Sequence, residues 1–295
     1  MFKKIALIPV LSLCCMVSAF EISTDFPGGN IEVLEKSNNG AKVAQQIRDT
    51  SEWWFYWNFE VSGAAGKTLE FKFANGDPIG SFGPAASYDG GKTWEWLGAG
   101  CVKRGKDMSS FKVSIPQDAH SARFAFCIPY MPADFDALAK EIPSLKKHPL
   151  CKTRKGRQNY YYTLGNPDGK LKIFLTSRHH ACESTGTYVM EGILREFAKK
   201  GSGESSLLKD AEIIAVPFMD LDGVVDGDQG KYRKPHDHNR DYSESPIYPS
   251  VAAFKSLYNK ASESAETVVA LDLHSPWMFR GGKSDTNNRA YFVEP

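Results

Sequence analysis

The sequence predicts an α/β protein. An antiparallel β-sandwich over residues 20–130 is followed by a layered α/β domain over residues 157–295, with a helical connector, residues 131–156, between them. Three observations carry this reading. The first half is filled with short alternating or apolar runs broken by Gly, Asn, Asp and Pro, the pattern of antiparallel strands. In the second half, apolar runs of strand length alternate with segments of helical spacing, the order of a layered α/β domain. Finally, 295 residues with 42% hydrophobic and 24% charged content suffice for two domains with cores of their own.

The chain opens with Lys3 and Lys4, an apolar run, and Val17-Ser18-Ala19, so residues 1–19 read as a cleavable export signal. The run is shorter than the roughly 20 residues that a membrane span needs, so no stable membrane association is expected. Leu13 stands where a lipoprotein carries a small residue before its lipid-bearing cysteine. A secreted or periplasmic product is therefore expected. Export leaves Cys101, Cys127, Cys151 and Cys182 in an oxidising compartment, where four cysteines allow three connectivities. A Cys101–Cys127 bridge is favoured because both lie in the β-rich part. The net charge of +1 gives no bulk attraction to nucleic acid or anionic membrane, so a charged ligand has to be gripped locally.

Within the sandwich the clearest strands are residues 54–61, 69–73, 111–115 and 123–126. Residues 87–94, Ser-Tyr-Asp-Gly-Gly-Lys-Thr-Trp, fit the hairpin known as the Asp box, read here as a structural turn. The cluster Trp53, Trp54, Phe55, Tyr56 and Trp57 suits either the sandwich core or a stacking surface, with the core favoured. Residues 133–142 have helical spacing, with Phe135, Leu138 and Ile142 on one side. A Pro- and Lys-containing connector follows to residue 156. Residues 159–164 and 171–175, separated by a Gly-Asn-Pro-Asp-Gly turn, then read as a hairpin opening the second sheet.

The apolar strand at 171–175 leads to His180-Ala-Cys-Glu183, and a helix begins near Thr187. An imidazole and a carboxylate three residues apart at a strand end can turn two donors toward one point, as catalytic zinc requires. Residues 211–218 form a further core strand. Pro249 starts a helix that turns Val251, Phe254, Leu257 and Tyr258 inward, and an apolar strand from Thr267 ends at His274, which supplies a third donor. Cys182 is either a further ligand or, as favoured, a buried loop cysteine. The connection over 220–247 is long enough to be functional. It carries Asp237, Asn239 and Arg240, the groups that orient a ligand histidine and grip an anion. Asp226, Asp228, His236 and His238 in the same loop read as turn-forming residues, with a second metal as the alternative.

The succession His180-x-x-Glu183, Asp222-Gly-Val-Val, Asp237-x-Asn239-Arg240 and Asp272-Leu-His274 resembles the zinc metallocarboxypeptidases (funnelins), particularly their cytosolic-carboxypeptidase-like branch. The likeness is close over residues 129–274 and loose over the β-rich half. It implies a mixed-sheet α/β/α carboxypeptidase domain and one zinc ion on His180, Glu183 and His274. It also implies a peptide substrate whose free C-terminal carboxylate is held by Asn239 and Arg240. Asp237 would accept the ring N–H of His180. Arg233, with Lys231 as a rival, would face the oxyanion. The implied reaction is hydrolysis of the C-terminal peptide bond by metal-activated water. The family's general base falls beyond Pro295, so no catalytic base is expected within the chain, Glu294 is not expected to replace it, and the domain is expected to be truncated at its C-terminus. Two alternatives stay open: a zinc deacylase or amidase acting on small N-acyl amino acids or cell-wall peptides, and an inactive binding protein without the base.

Overall fold

A computed structural model describes residues 20–50, 55–74, 76–105, 108–201 and 207–275. The expected leader at 1–19, Trp53, Trp54 and Glu294 lie outside these residues.

Ten strands build the first half: β1 (Glu21–Ser23), β2 (Glu32–Ser37), β3 (Gly40–Ala44), β4 (Asn58–Ser62), β5 (Thr68–Phe73), β6 (Ala85–Ser87), β7 (Glu95–Trp96), β8 (Val102–Arg104), β9 (Ser109–Ser114) and β10 (Ser121–Ala125). They form two five-stranded sheets, β1-β4-β10-β6-β7 and β2-β3-β5-β9-β8. The expected sandwich is present, with one departure from antiparallel order: β3 and β5 run parallel. Alternation puts Leu69, Phe71 and Phe73 of β5 inside, where they pack with Trp57, Phe59, Phe111 and Phe124. Trp57 is fully buried and its indole N–H donates to Pro78 O at 3.1 Å, so this member of the aromatic cluster is core. The Asp box is a hairpin brace between β6 and β7. Asp89 accepts hydrogen bonds from Thr93 N at 3.0 Å, Thr93 Oγ1 at 2.7 Å, Lys92 N at 3.0 Å and Ser87 Oγ at 2.9 Å.

The second half contains α1 (Pro132–Glu141), β11 (Lys146–Lys152), β12 (Gln158–Gly165), β13 (Leu171–Ser177), α2 (Ser184–Gly201), α3 (Leu207–Asp210), β14 (Ala211–Val216), α4 (Leu221–Asp226), α5 (Pro249–Ser262) and β15 (Thr267–Leu273). Its mixed sheet has the order β11-β12-β14-β13-β15. Two expectations are corrected here. The segment after α1 is not a connector but an edge strand, β11, paired antiparallel with β12 across a bulge between Pro149 and Cys151. Nor do β12 and β13 form a hairpin, because β14 lies between them, antiparallel to β12 and parallel to β13. Ile213, Ile214, Ala215 and Val216 of β14 are all buried, and a strand apolar on both faces belongs at the centre of a sheet.

Helices cover both faces. Met190 and Leu194 of α2 pack with Phe135 and Leu138 of α1 against Leu175, Ile213 and Ala215. On the opposite face Val251 and Phe254 of α5 meet Phe174, Ile214 and Val216. Each such fully buried side chain contributes roughly 1.5–3 kcal/mol of apolar burial. Among the described residues, no helix is long and apolar enough to cross a membrane.

Candidate metal centre

β13 and β15 are parallel neighbours in register from Leu171↔Thr267 to Ser177↔Leu273, so the loop after one and the residue after the other emerge at the same sheet edge. Arg178 then turns the chain with φ 59°, a left-handed conformation that costs a non-glycine residue roughly 1–2 kcal/mol. Its buried guanidinium holds the turn, donating to Ala181 O at 2.8 Å and Tyr130 O at 3.0 Å. The turned loop presents His180 and Glu183 just before α2. Gly186 allows the first turn of α2 to lie on the end of β15, since a Cβ there would stand 2.1 Å from Leu273 O.

The three expected ligands meet. One donor atom from each of His180, Glu183 and His274 lies within 4.8 Å of the others. Glu183 sits between the imidazoles, with Oε1 3.0 Å from His180 Nδ1 and Oε2 2.6 Å from His274 Nδ1. Both rings thus turn the same nitrogen inward, and each faces a carboxylate with the other. His274 Nε2 lies 2.7 Å from Asp272 Oδ2. His180 Nε2 lies 3.7 Å from Asp237 Oδ2, longer than a hydrogen bond but on the side expected for Asp237. Two imidazole nitrogens and a carboxylate oxygen, with both outer nitrogens facing carboxylates, are a donor set that fits zinc.

The charges agree with this arrangement. Burial alone would raise Glu183, but hydrogen bonds from His180 and His274 hold its carboxyl at about 2. Burial would lower His274, yet its bonds to Asp272 and Glu183 lift it to about 10. His180 is raised in the same way, with burial opposed by Asp237 and Glu183.

Asp272, which the sequence offers only as part of the Asp272-Leu-His274 motif and without a role, is tied into the centre by the structure. It accepts from Thr176 Oγ1 at 2.9 Å and Asn239 Nδ2 at 3.0 Å, besides pairing with His274 and, at 2.8 Å, with His179 Nδ1. His179 Nε2 in turn lies 2.7 Å from Tyr242 Oη. The clue was available, because residues two apart on a strand share a face, so Asp272 and His274 point the same way. Asn239 also accepts from Arg240 Nη1 at 3.2 Å, and Arg240 is exposed beside the centre. Arg240, Asn239, Asp272 and His274 thus form one hydrogen-bonded series.

Arg233 does not face the metal centre. It is enclosed by Asp49 at 3.0 Å, Asp220 at 2.6 Å and Asp228 at 3.2 Å. The rival, Lys231, places Nζ 3.8 Å from Glu183 Oε1. Tyr232 between them has φ 54°, which sends the two cations to different places and cannot be read from spacing. The loop's other polar residues are engaged in structure. Asp226 pairs with Arg157 at 2.6 Å and His236 with Asp241 at 2.6 Å, while His238 stacks on Tyr248 with centroids 3.7 Å apart. Among the described residues Cys101, Cys127, Cys151 and Cys182 are free thiols, so the expected Cys101–Cys127 bridge is absent there. Cys182 is buried, its thiol pushed up by desolvation, and it is not among the clustered donors.

Comparison with known proteins places this geometry in context. Residues 131–275 match the family model described as zinc carboxypeptidase, and residues 22–126 match that of the cytosolic carboxypeptidase N-terminal domain. Cytosolic carboxypeptidase 6 of Caenorhabditis elegans is 31% identical over 168 residues, 52% of this chain and 36% of that protein. Cytosolic carboxypeptidase 3 of Mus musculus is 29% identical over 174 residues, 54% of this chain and 17% of that protein. The chain thus spans well under half the length of these curated relatives. A metallo-carboxypeptidase from Burkholderia cenocepacia shares the fold with a TM-score of 0.73 at 21% identity, over 87% of this chain and 71% of that one. Two family models that follow one another along residues 22–126 and 131–275, and a donor triad at the join of β13, α2 and β15, lead to one conclusion: the chain belongs to the zinc carboxypeptidase family.

Proposed function

We propose that the protein is a zinc-dependent metallocarboxypeptidase that cleaves the C-terminal peptide bond of peptides. The observation that carries this reading is the meeting of His180, Glu183 and His274 beside the Arg240–Asn239 pair. Zinc bound by the three donors would supply Lewis acidity and a water made acidic enough to attack an amide at neutral pH. The chain's own residues do the rest. Asp272 and Asp237 face the outer nitrogens of the two imidazoles, and so favour the ring orientation that leaves Nδ1 for the ion. Arg240 offers a planar fork to the terminal carboxylate of a peptide, and Asn239 keeps that fork in register with Asp272.

The proton acceptor is none of the three carboxylates at the centre. Glu183 is occupied by both imidazoles and by Ser275 N, Asp272 by four donors, and Asp237 by the amides of Tyr232 and Asn239 at 3.1 Å each. The sequence of Met1 to Ala19 supports export of the protein to a secreted or periplasmic location.

Metal analysis and turnover test the proposal together. The protein is expected to bind one equivalent of zinc and to lose it on His180→Ala. A blocked dipeptide with a free C-terminus should be hydrolysed in preference to an N-acyl amino acid. Full zinc content in the variant would remove the ligand assignment, and preference for the N-acyl amino acid would favour a deacylase.

A further inference from the structure

Asp49 belongs to the β-domain, yet its carboxylate is engaged by the loop of the second domain. Oδ1 accepts from Gln229 N at 3.1 Å, and Oδ2 accepts from Gly230 N at 2.7 Å and Arg233 Nε at 3.0 Å. The side chain is 9% exposed, so these bonds are screened little by solvent. They bracket Lys231 on both sides. Gly230, at φ 76°, is pressed so closely on the ligand loop that a Cβ would stand 2.2 Å from Ala181 N. Cys182 N reaches back to Gln229 O at 3.1 Å, and Tyr232 N donates to Asp237 at 3.1 Å. The backbone on either side of Lys231 is therefore fixed, and its ammonium is delivered to within 3.8 Å of Glu183.

We infer that the β-domain is a working part of the metal centre: Asp49 is a positioning residue that fixes residues 229–233 and so holds Lys231 at Glu183. Two consequences follow. Lys231 and the metal ion share one carboxylate, so the lysine weakens the hold of the site on zinc. On the carboxypeptidase reading, on which this second consequence rests, the same ammonium is the cation available to the carbonyl oxygen of the scissile bond, the place that Arg233 does not reach.

The test is zinc affinity of the full chain at low ionic strength, measured by competition with a chromophoric chelator. Lys231→Met is expected to bind zinc roughly fivefold more tightly, the scale of one nearby like charge in a partly screened site. Asp49→Asn should shift affinity the same way by a smaller factor, Asp49→Glu by less still, and the double variant Asp49→Asn with Lys231→Met should match Lys231→Met alone. Thermal unfolding identifies any variant that fails to fold, and Asp49→Glu then stands in for Asp49→Asn. Wild-type affinity in the folded Asp49 variants, or additive effects in the double variant, would overturn the positioning role. Unchanged affinity in Lys231→Met would overturn the placement of the lysine. His180→Ala, run in parallel, reports separately on the metal centre itself. For the substrate role, Lys231→Met should lower kcat on a blocked dipeptide more than it raises KM, with partial rescue by Lys231→Arg; an unchanged kcat would remove that role.

Discussion

His274 Nε2 lies 2.7 Å from Asp272 Oδ2, two residues back on the same strand face, while the opposite nitrogen of the ring points at Glu183. A ring held this way presents Nδ1 as a lone pair once the outer proton is committed to the carboxylate, and the carboxylate raises the basicity of the donor. Asp272→Asn should therefore lower zinc affinity by about 10- to 100-fold without removing zinc at saturating concentration. Equilibrium dialysis against buffered zinc measures the shift, and an unchanged affinity would mean that Asp272 serves only Thr176, His179 and Asn239.

Zinc uptake should also release protons. In the metal-free site His274 is lifted to about 10, so at neutral pH it carries a proton, and Asp237 and Glu183 make His180 hold its proton to higher pH than a free imidazole; ligation has to displace these protons. Affinity is then expected to rise with pH as the two rings lose those protons. Calorimetry at pH 7 in buffers of different ionisation enthalpy should show net proton release on binding. A binding enthalpy independent of the buffer would contradict the charge state of the cluster.

The parts of this centre differ in how legible they are in sequence. The strand, helix and strand that position the candidate ligands announce themselves, because the text of β13 and β15 is apolar and Met190 and Leu194 recur at helical spacing. Strand β11 does not. An edge strand reading Lys-Lys-His-Pro-Leu-Cys-Lys buries almost nothing and carries a proline, so it has the text of a connector. The turn at 165–169 was a correct local signal, but no turn reveals that a strand from forty residues later will enter between the two it joins. Arg233 shows the same limit in miniature. Its spacing to Asn239 is visible, while the left-handed backbone at Tyr232 and the three aspartates around its guanidinium are products of tertiary structure.

Arg233 and Arg240 should accordingly fail in opposite ways. Arg240 is exposed and held by Asn239, so Arg240→Ala is expected to leave folding intact. It should cost about 10- to 100-fold in kcat/KM on a peptide with a free C-terminus, mainly through KM, the loss of charge-assisted bonds to a carboxylate. A C-terminally amidated peptide should be turned over poorly by both proteins. Arg233→Met instead leaves Asp49, Asp220 and Asp228 without their shared cation, and breaking such a buried cluster costs roughly 3–5 kcal/mol. Chemical denaturation should show that loss. If Arg233→Met kept full stability and changed only KM, its role would have to be moved from the cage to the substrate.

Burial of His238 is expected to make the fold sensitive to acid. His238 is 4% exposed, its ring lies against Tyr248, and Nδ1 has no hydrogen-bond partner. Burial is the main cause of its lowered affinity for protons, outweighing the attraction of Asp220, and brings it from 6.5 to about 4. The unfolded chain takes up this proton from about pH 6.5 downward, whereas the folded chain resists it until about pH 4. Between those values the unfolded state binds more protons, so stability falls as pH is lowered, by up to about 3 kcal/mol from this residue alone. His238→Phe keeps a ring for Tyr248 and removes the titration. Unfolding free energies measured from pH 7 to pH 4 should then fall less steeply in the variant than in the wild type, and parallel curves would show that the acid sensitivity of the fold lies elsewhere.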